Sequence, residues 1–189
     1  MKRIHILALG LVPVAALVLT TAALGESQGN HFSNKDDSGM KRGLEIAPPL
    51  NLKGKNRDLV GLGSYIVNAQ GACNDCHTCP PYTPEHDPYT GGDGRPNFEN
   101  YLAGGTAFGP FVSRNLTPDA KGRPAGLTLT EFMRVMHTGH DPDNPGELLQ
   151  VMPWPIYGKM VDRDLKAVYE FLRAIPHAEP GPDCAQPPD

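Results

Sequence analysis

The sequence predicts an all-α domain of short helices joined by long, specific loops. Three observations carry this. Three segments repeat apolar residues at helical spacing. No stretch alternates apolar and polar residues convincingly over the length of a strand. The 189 residues include 21 glycines and 20 prolines, which punctuate loops rather than fill helix interiors.

In chain order, Lys2 and Arg3 precede a segment from Ile4 to Leu24 that is apolar apart from His5, Thr20 and Thr21. Ala23 and Gly25 then offer small residues before polar Glu26, the order of a secretory signal peptide cleaved after Gly25. The stretch is also close to the roughly 20 residues that span a bilayer, so a retained N-terminal anchor is the alternative. Residues 26–54 are polar and glycine-containing and read as a flexible leader, stiffened at its end by Pro48-Pro49. The ordered domain is expected over residues 55–178, followed by a non-helical tail, 179–189, with Pro180, Pro182, Pro187 and Pro188.

Within that domain the first helix is expected from Arg57 to Ala69, with Leu59, Leu62, Ile66 and Ala69 on one side. The second is expected from Thr128 to His137. Thr128 is its N-cap, Glu131 completes a capping box, and Phe132, Val135 and Met136 share a face. The third runs from Asp162 to Ala174 with Leu165, Val168, Tyr169 and Leu172 in phase. Asp162 and Asp164 suit its positive N-terminus, and Pro176 stops it. The formal charge of -4 argues against a nucleic-acid-binding role and suits partners with basic patches.

The chemistry concentrates in Cys73-Asn74-Asp75-Cys76-His77, a C-x-x-C-H run. Two thiols at this spacing reach the two vinyl groups of a haem and form thioethers. The following histidine then lies under the iron and ligates it. One such run, without an internal repeat, implies one covalent haem c. Its apolar plate would complete a modest side-chain core. The chain holds four cysteines, however, so Cys73, Cys76, Cys79 and Cys184 also suggest a zinc or iron–sulfur site. Export disfavours that alternative, because thiols outside the cytoplasm oxidise.

A methionine opposite the histidine raises a haem's potential. Met152 lies in Val151-Met152-Pro153-Trp154-Pro155, where two prolines leave little ordering entropy to lose on ligation. Met160 is the runner-up. Met133 and Met136 suit core packing, and Met40 lies in the leader. His86, His137, His140 and His177 could make a two-histidine site but read as loop or surface residues.

In this order the chain resembles class I c-type cytochromes. More narrowly it resembles the cytochrome c carriers and subunits of periplasmic sugar, alcohol and aldehyde dehydrogenases and of oxidase chains. The resemblance runs from Gly61 to Pro176. It rests on the haem motif, Gly104-Gly105-Thr106, Asn115-Leu116-Thr117-Pro118-Asp119, Met152-Pro153-Trp154-Pro155 and Asp164-Leu165-Lys166-Ala167-Val168-Tyr169. It implies a periplasmic carrier of single electrons, not itself an enzyme, with Cys73, Cys76, His77 and Met152 holding the haem. It also implies a dehydrogenase donor and an oxidase or cytochrome acceptor, either as free partners or in a permanent complex. Other implications are a crossing of the first and last helices and a carbonyl near Gly109-Pro110 on His77 Nδ1. Arg114 and Trp154 would face the haem propionates.

Residues 79–94 form a Pro- and Gly-rich insertion that the resemblance does not explain. With Cys73 and Cys76 committed to haem, Cys79 and Cys184 are an even pair in an oxidising compartment, and a disulfide between them is expected.

Overall fold

The computed structural model describes residues 28–185, with only the backbone described for 28–36. The signal or anchor expected over 1–25 and the tail residues 186–189 lie outside the described residues. Among the described residues, no helix is long and apolar enough to cross a membrane.

The fold is mostly helical. Its helices are α1 (Gln28–Ile46), α2 (Arg57–Tyr65), α3 (Cys73–His77), α4 (Leu129–Thr138), α5 (Trp154–Tyr157) and α6 (Asp162–Leu172). One small hairpin interrupts them, β1 (Ala107–Phe108) against β2 (Phe111–Val112), with Ala107 facing Val112 and Phe108 facing Phe111. The sequence reading had no strand here, because two residues are too few to show alternation.

Helix α2 starts where Asn56 accepts the Leu59 N–H at 3.0 Å and passes into a π-helical turn, Ile66–Gln70. It crosses α6 at Gly63, where a β-carbon would lie 1.9 Å from the Ala167 carbonyl oxygen. Only glycine allows so close an approach. From α6, Leu165, Val168, Tyr169 and Leu172 are buried as expected, together with Ala167 and Phe171. The Tyr169 hydroxyl donates to Leu127 O at 2.9 Å. Helix α4 carries the expected capping box at Thr128 and Glu131 and ends at Gly139, φ 68°. Its Phe132, Val135 and Met136 are all buried.

The expectation of a flexible leader is corrected. Residues 28–46 form α1, which packs on α2, so the packed unit begins before residue 55. The contact is glycine-made: a β-carbon on Gly43 would lie 1.9 Å from Gly61 O, and one on Gly61 would lie 2.4 Å from Met40 O. The Ser64 hydroxyl donates to Gly43 O at 2.6 Å across the crossing. The glycines that lower helix propensity are the residues that allow the docking.

Candidate haem site

The motif residues occupy α3, a single helical turn entered through Ala72 at φ 49°. This left-handed residue turns the chain sharply after the π turn and starts α3 on a new axis. So short a helix cannot hold itself, and side chains and loops hold it. The buried Thr78 hydroxyl donates to Asn74 Oδ1 at 2.7 Å and accepts the Leu102 N–H at 2.9 Å. Gly104 N–H donates to His77 O at 2.7 Å. The Tyr157 hydroxyl reaches from α5 to Gly71 O at 2.6 Å, bringing the segment after Met152 against the turn that precedes Cys73.

His77 Nδ1–H donates to Arg114 O at 2.8 Å. The ring's other nitrogen, Nε2, therefore carries the lone pair. Burial pushes the imidazole pKa below its ordinary value, against the opposing pull of the Arg114 carbonyl. A neutral ring with a fixed tautomer is the form that ligates a metal. The resemblance had put this acceptor near Gly109-Pro110. That dipeptide is instead the exposed tip of the β1–β2 hairpin, turned to solvent, and the chain returns to His77 only at Arg114.

Cys73 and Cys76 are free thiols. Burial pushes the Cys73 thiol up to about 12, so at neutral pH it is an uncharged group in apolar surroundings. The Cys76 thiol is raised too, by burial and then by Asp75. Two free thiols two residues apart are the pair that thioether attachment needs. Cys79 and Cys184 form a disulfide with Cα atoms 6.0 Å apart. This corrects the four-cysteine zinc or iron–sulfur alternative, since two of the four sulfurs are bonded to each other. The donor set, two free cysteines and a neutral histidine on one turn, fits covalent haem.

Met152 is half-buried and packs against the core cluster, as does Met160. Pro153 is the N-cap residue of α5 and Pro155 lies in its first turn, where Trp154 N–H donates to Met152 O at 2.8 Å. The Tyr157 phenol is raised by burial first, then by Cys73, Cys76 and Asp75, a sign that this segment faces the two thiols. Trp154 lies flat on Gly139, where a β-carbon would come within 2.2 Å of the indole. Arg114 reaches the site through its backbone carbonyl. Its guanidinium bonds Ala125 O at 3.4 Å and pairs with Asp143.

The other candidates have ordinary roles. Met136 is core, and Met40 and Met133 pack against it. His86 pairs with Asp93 at 2.7 Å, His137 meets Gly158 O and Asp162, and His177 meets Pro118 O and Glu179. His140 is exposed. Sequence reasoning missed Asn74 and Thr78, whose four-residue spacing, from inside the motif to the residue just after it, was the available signal. It also missed Tyr157.

Comparison with known proteins agrees with this chemistry. The chain is 26% identical over 146 residues to the cytochrome c subunit of a quinone alcohol dehydrogenase from Gluconobacter oxydans (strain 621H), covering 71% of this chain and 27% of the relative. It is 28% identical over 121 residues to the fructose dehydrogenase cytochrome subunit of Gluconobacter japonicus, covering 62% and 21%. It is 29% identical over 117 residues to the gluconate 2-dehydrogenase cytochrome c subunit of Pantoea cypripedii, covering 62% and 23%. The chain thus spans about a quarter of the length of these curated relatives. No protein-family model matches the chain, and no solved structure does. The likeness to c-type cytochromes read from the sequence is therefore matched by three cytochrome subunits of dehydrogenases.

Proposed function

We propose that this chain is a single-haem electron-transfer module that works as a cytochrome c subunit of a dehydrogenase complex. Cys73 and Cys76 would hold the haem by thioethers, His77 would ligate the iron through Nε2, and Met152 would supply the second protein ligand. When bound, the haem supplies one-electron oxidation and reduction. The protein residues attach it, orient His77 and cover it with apolar side chains. The observation that carries the reading is α3 itself: two free, uncharged cysteines and a histidine whose Nδ1 is held by Arg114 O.

The three relatives, all cytochrome subunits of dehydrogenases, favour a dehydrogenase subunit over a freely diffusing carrier. The freely diffusing carrier, passing electrons from a dehydrogenase to an oxidase or another cytochrome, is the second reading. It is supported by the signal-peptide order of residues 1–25, which would release a periplasmic protein. If that segment is retained, it would hold the module at the membrane.

The test is a visible spectrum of the purified chain with haem quantified per polypeptide. One covalent low-spin haem is expected, and Met152→Ala is expected to lower the midpoint potential and to remove the weak far-red band of methionine-ligated ferric haem. A chain purified from cells competent in cytochrome assembly without covalent haem overturns the proposal. The same losses on Met160→Ala but not on Met152→Ala would reassign the ligand. Co-purification with a dehydrogenase separates subunit from carrier.

A further inference from the structure

His77 is positioned from a loop, and the loop is held from its far side. Gly104 and Gly105 adopt φ 81° and 87°. A β-carbon on Gly104 would lie 2.5 to 2.7 Å from Ser113 O, Arg114 C and Asn115 N. Gly104 therefore lies directly on the backbone that presents the Arg114 carbonyl to His77, while its own N–H holds His77 O. Gly105 N–H donates to Ser113 O at 3.0 Å and closes this layer.

The C-terminal tail lies over the outer side of the same layer. Ala185 N–H donates to Gly105 O at 3.0 Å, and Gly181 N–H donates to Cys79 O at 3.1 Å. Asn115 Nδ2 donates to Ala178 O at 2.8 Å, and Asn100 Nδ2 donates to Glu179 O at 2.7 Å. A β-carbon on Gly105 would meet Pro180 Cβ at 2.7 Å and Cys184 Cβ at 3.1 Å. Among its described residues the tail has no helix of its own to order it. One covalent bond fixes it, from Cys184 to Cys79, two residues beyond His77.

We propose that the Cys79–Cys184 bridge is a positioning device for His77: it clamps the tail over the 104–115 loop and so holds the Arg114 carbonyl on Nδ1. The inference rests on the reading of His77 as the iron ligand. A firm Nδ1–H bond makes the ring a stronger donor. A stronger donor favours ferric iron, so the closed clamp lowers the midpoint potential and an open one raises it.

The experiment uses haem-loaded protein in two forms. One is the Cys79→Ser/Cys184→Ser double variant, which leaves no unpaired thiol. The other is the unsubstituted protein, opened by a water-soluble phosphine and alkylated, a treatment that leaves thioethers intact. The midpoint potential is measured, and exchange of the His77 Nδ1 proton is followed by NMR in the ferrous state. Both forms are expected to show a raised midpoint potential and at least tenfold faster exchange. If the double variant does not accumulate, the phosphine-opened protein decides. An unchanged potential and exchange rate, with the open bridge confirmed by mass, overturns the clamp. Lower thermal stability with an unchanged potential also overturns it, since a purely structural strap would do that. Unsubstituted protein without covalent haem instead removes the proposed function, and this inference with it.

Discussion

Gly43→Ala separates a docked α1 from a free one, because the two predict opposite signs. In an isolated helix, alanine in place of glycine stabilises by about 1 kcal/mol. In this fold the new methyl would lie 1.9 Å from Gly61 O and 2.7 Å from Tyr65 N. Both are backbone atoms of α2, so no side chain can swing aside and the helices must separate by an ångström or more. Overpacking of this kind costs about 1–3 kcal/mol. Separation also breaks the Ser64–Gly43 bond, worth about 1 kcal/mol net. The balance is a net loss of about 1–3 kcal/mol, or about 2–4 °C in Tm per kcal/mol for a chain of this size. Thermal unfolding reads the loss, and tryptic cleavage at the exposed Lys41 and Arg42 reads the undocking. A raised Tm with unchanged cleavage would show that α1 does not pack on α2 and would refute the reasoning.

Thr78→Val keeps the shape of a fully buried side chain while removing its hydroxyl, which leaves Leu102 N–H and Asn74 Oδ1 without that partner. A loss of about 2–4 kcal/mol is expected, read as a lower urea midpoint at unchanged slope; Thr78→Ser should recover most of it. The Glu131 carboxyl is held below its ordinary pKa, first by the Thr128 N–H and then by the Thr128 hydroxyl. A depressed folded-state value contributes stability that is complete above the ordinary carboxylate range and lost as pH falls through the lowered value. Glu131→Gln is therefore expected to be less stable than the unsubstituted protein at neutral pH, with the gap closing in acid. A gap that persists in acid counts against the capping box.

What was legible in the sequence divides along a physical line. Helices α2, α4 and α6 were readable because each buries one face, so apolar spacing and caps such as Thr128 mark them locally. The Cys79–Cys184 bond was readable from parity and compartment. Helix α1 was not, because Gly39 and Gly43 weaken a helix taken alone, and their use depends on Tyr65 and Gly61, distant in sequence. The acceptor for His77 was misplaced for a related reason. Every residue has a carbonyl, so Arg114 carries no side-chain mark of that role. The signal lay in Gly104-Gly105, which set the close approach.

The site is legible as a motif and yet built by distant parts of the chain. A five-residue helix is below the length that sustains itself in water, so α3 takes its orientation from outside. Leu102 N–H holds Thr78, Gly104 N–H holds His77 O, Arg114 O holds His77 Nδ1, and Tyr157 holds Gly71 O. Three of these four partners are backbone groups of the segment 102–114. Gly104 lets that segment fold back on Ser113–Asn115, and the tail lies against its outer side at Gly105. Changes in loop and tail residues that touch no motif side chain are therefore expected to alter the His77–Arg114 hydrogen bond, whereas substitutions in the outer faces of α4 or α6 should alter stability and leave that bond in place.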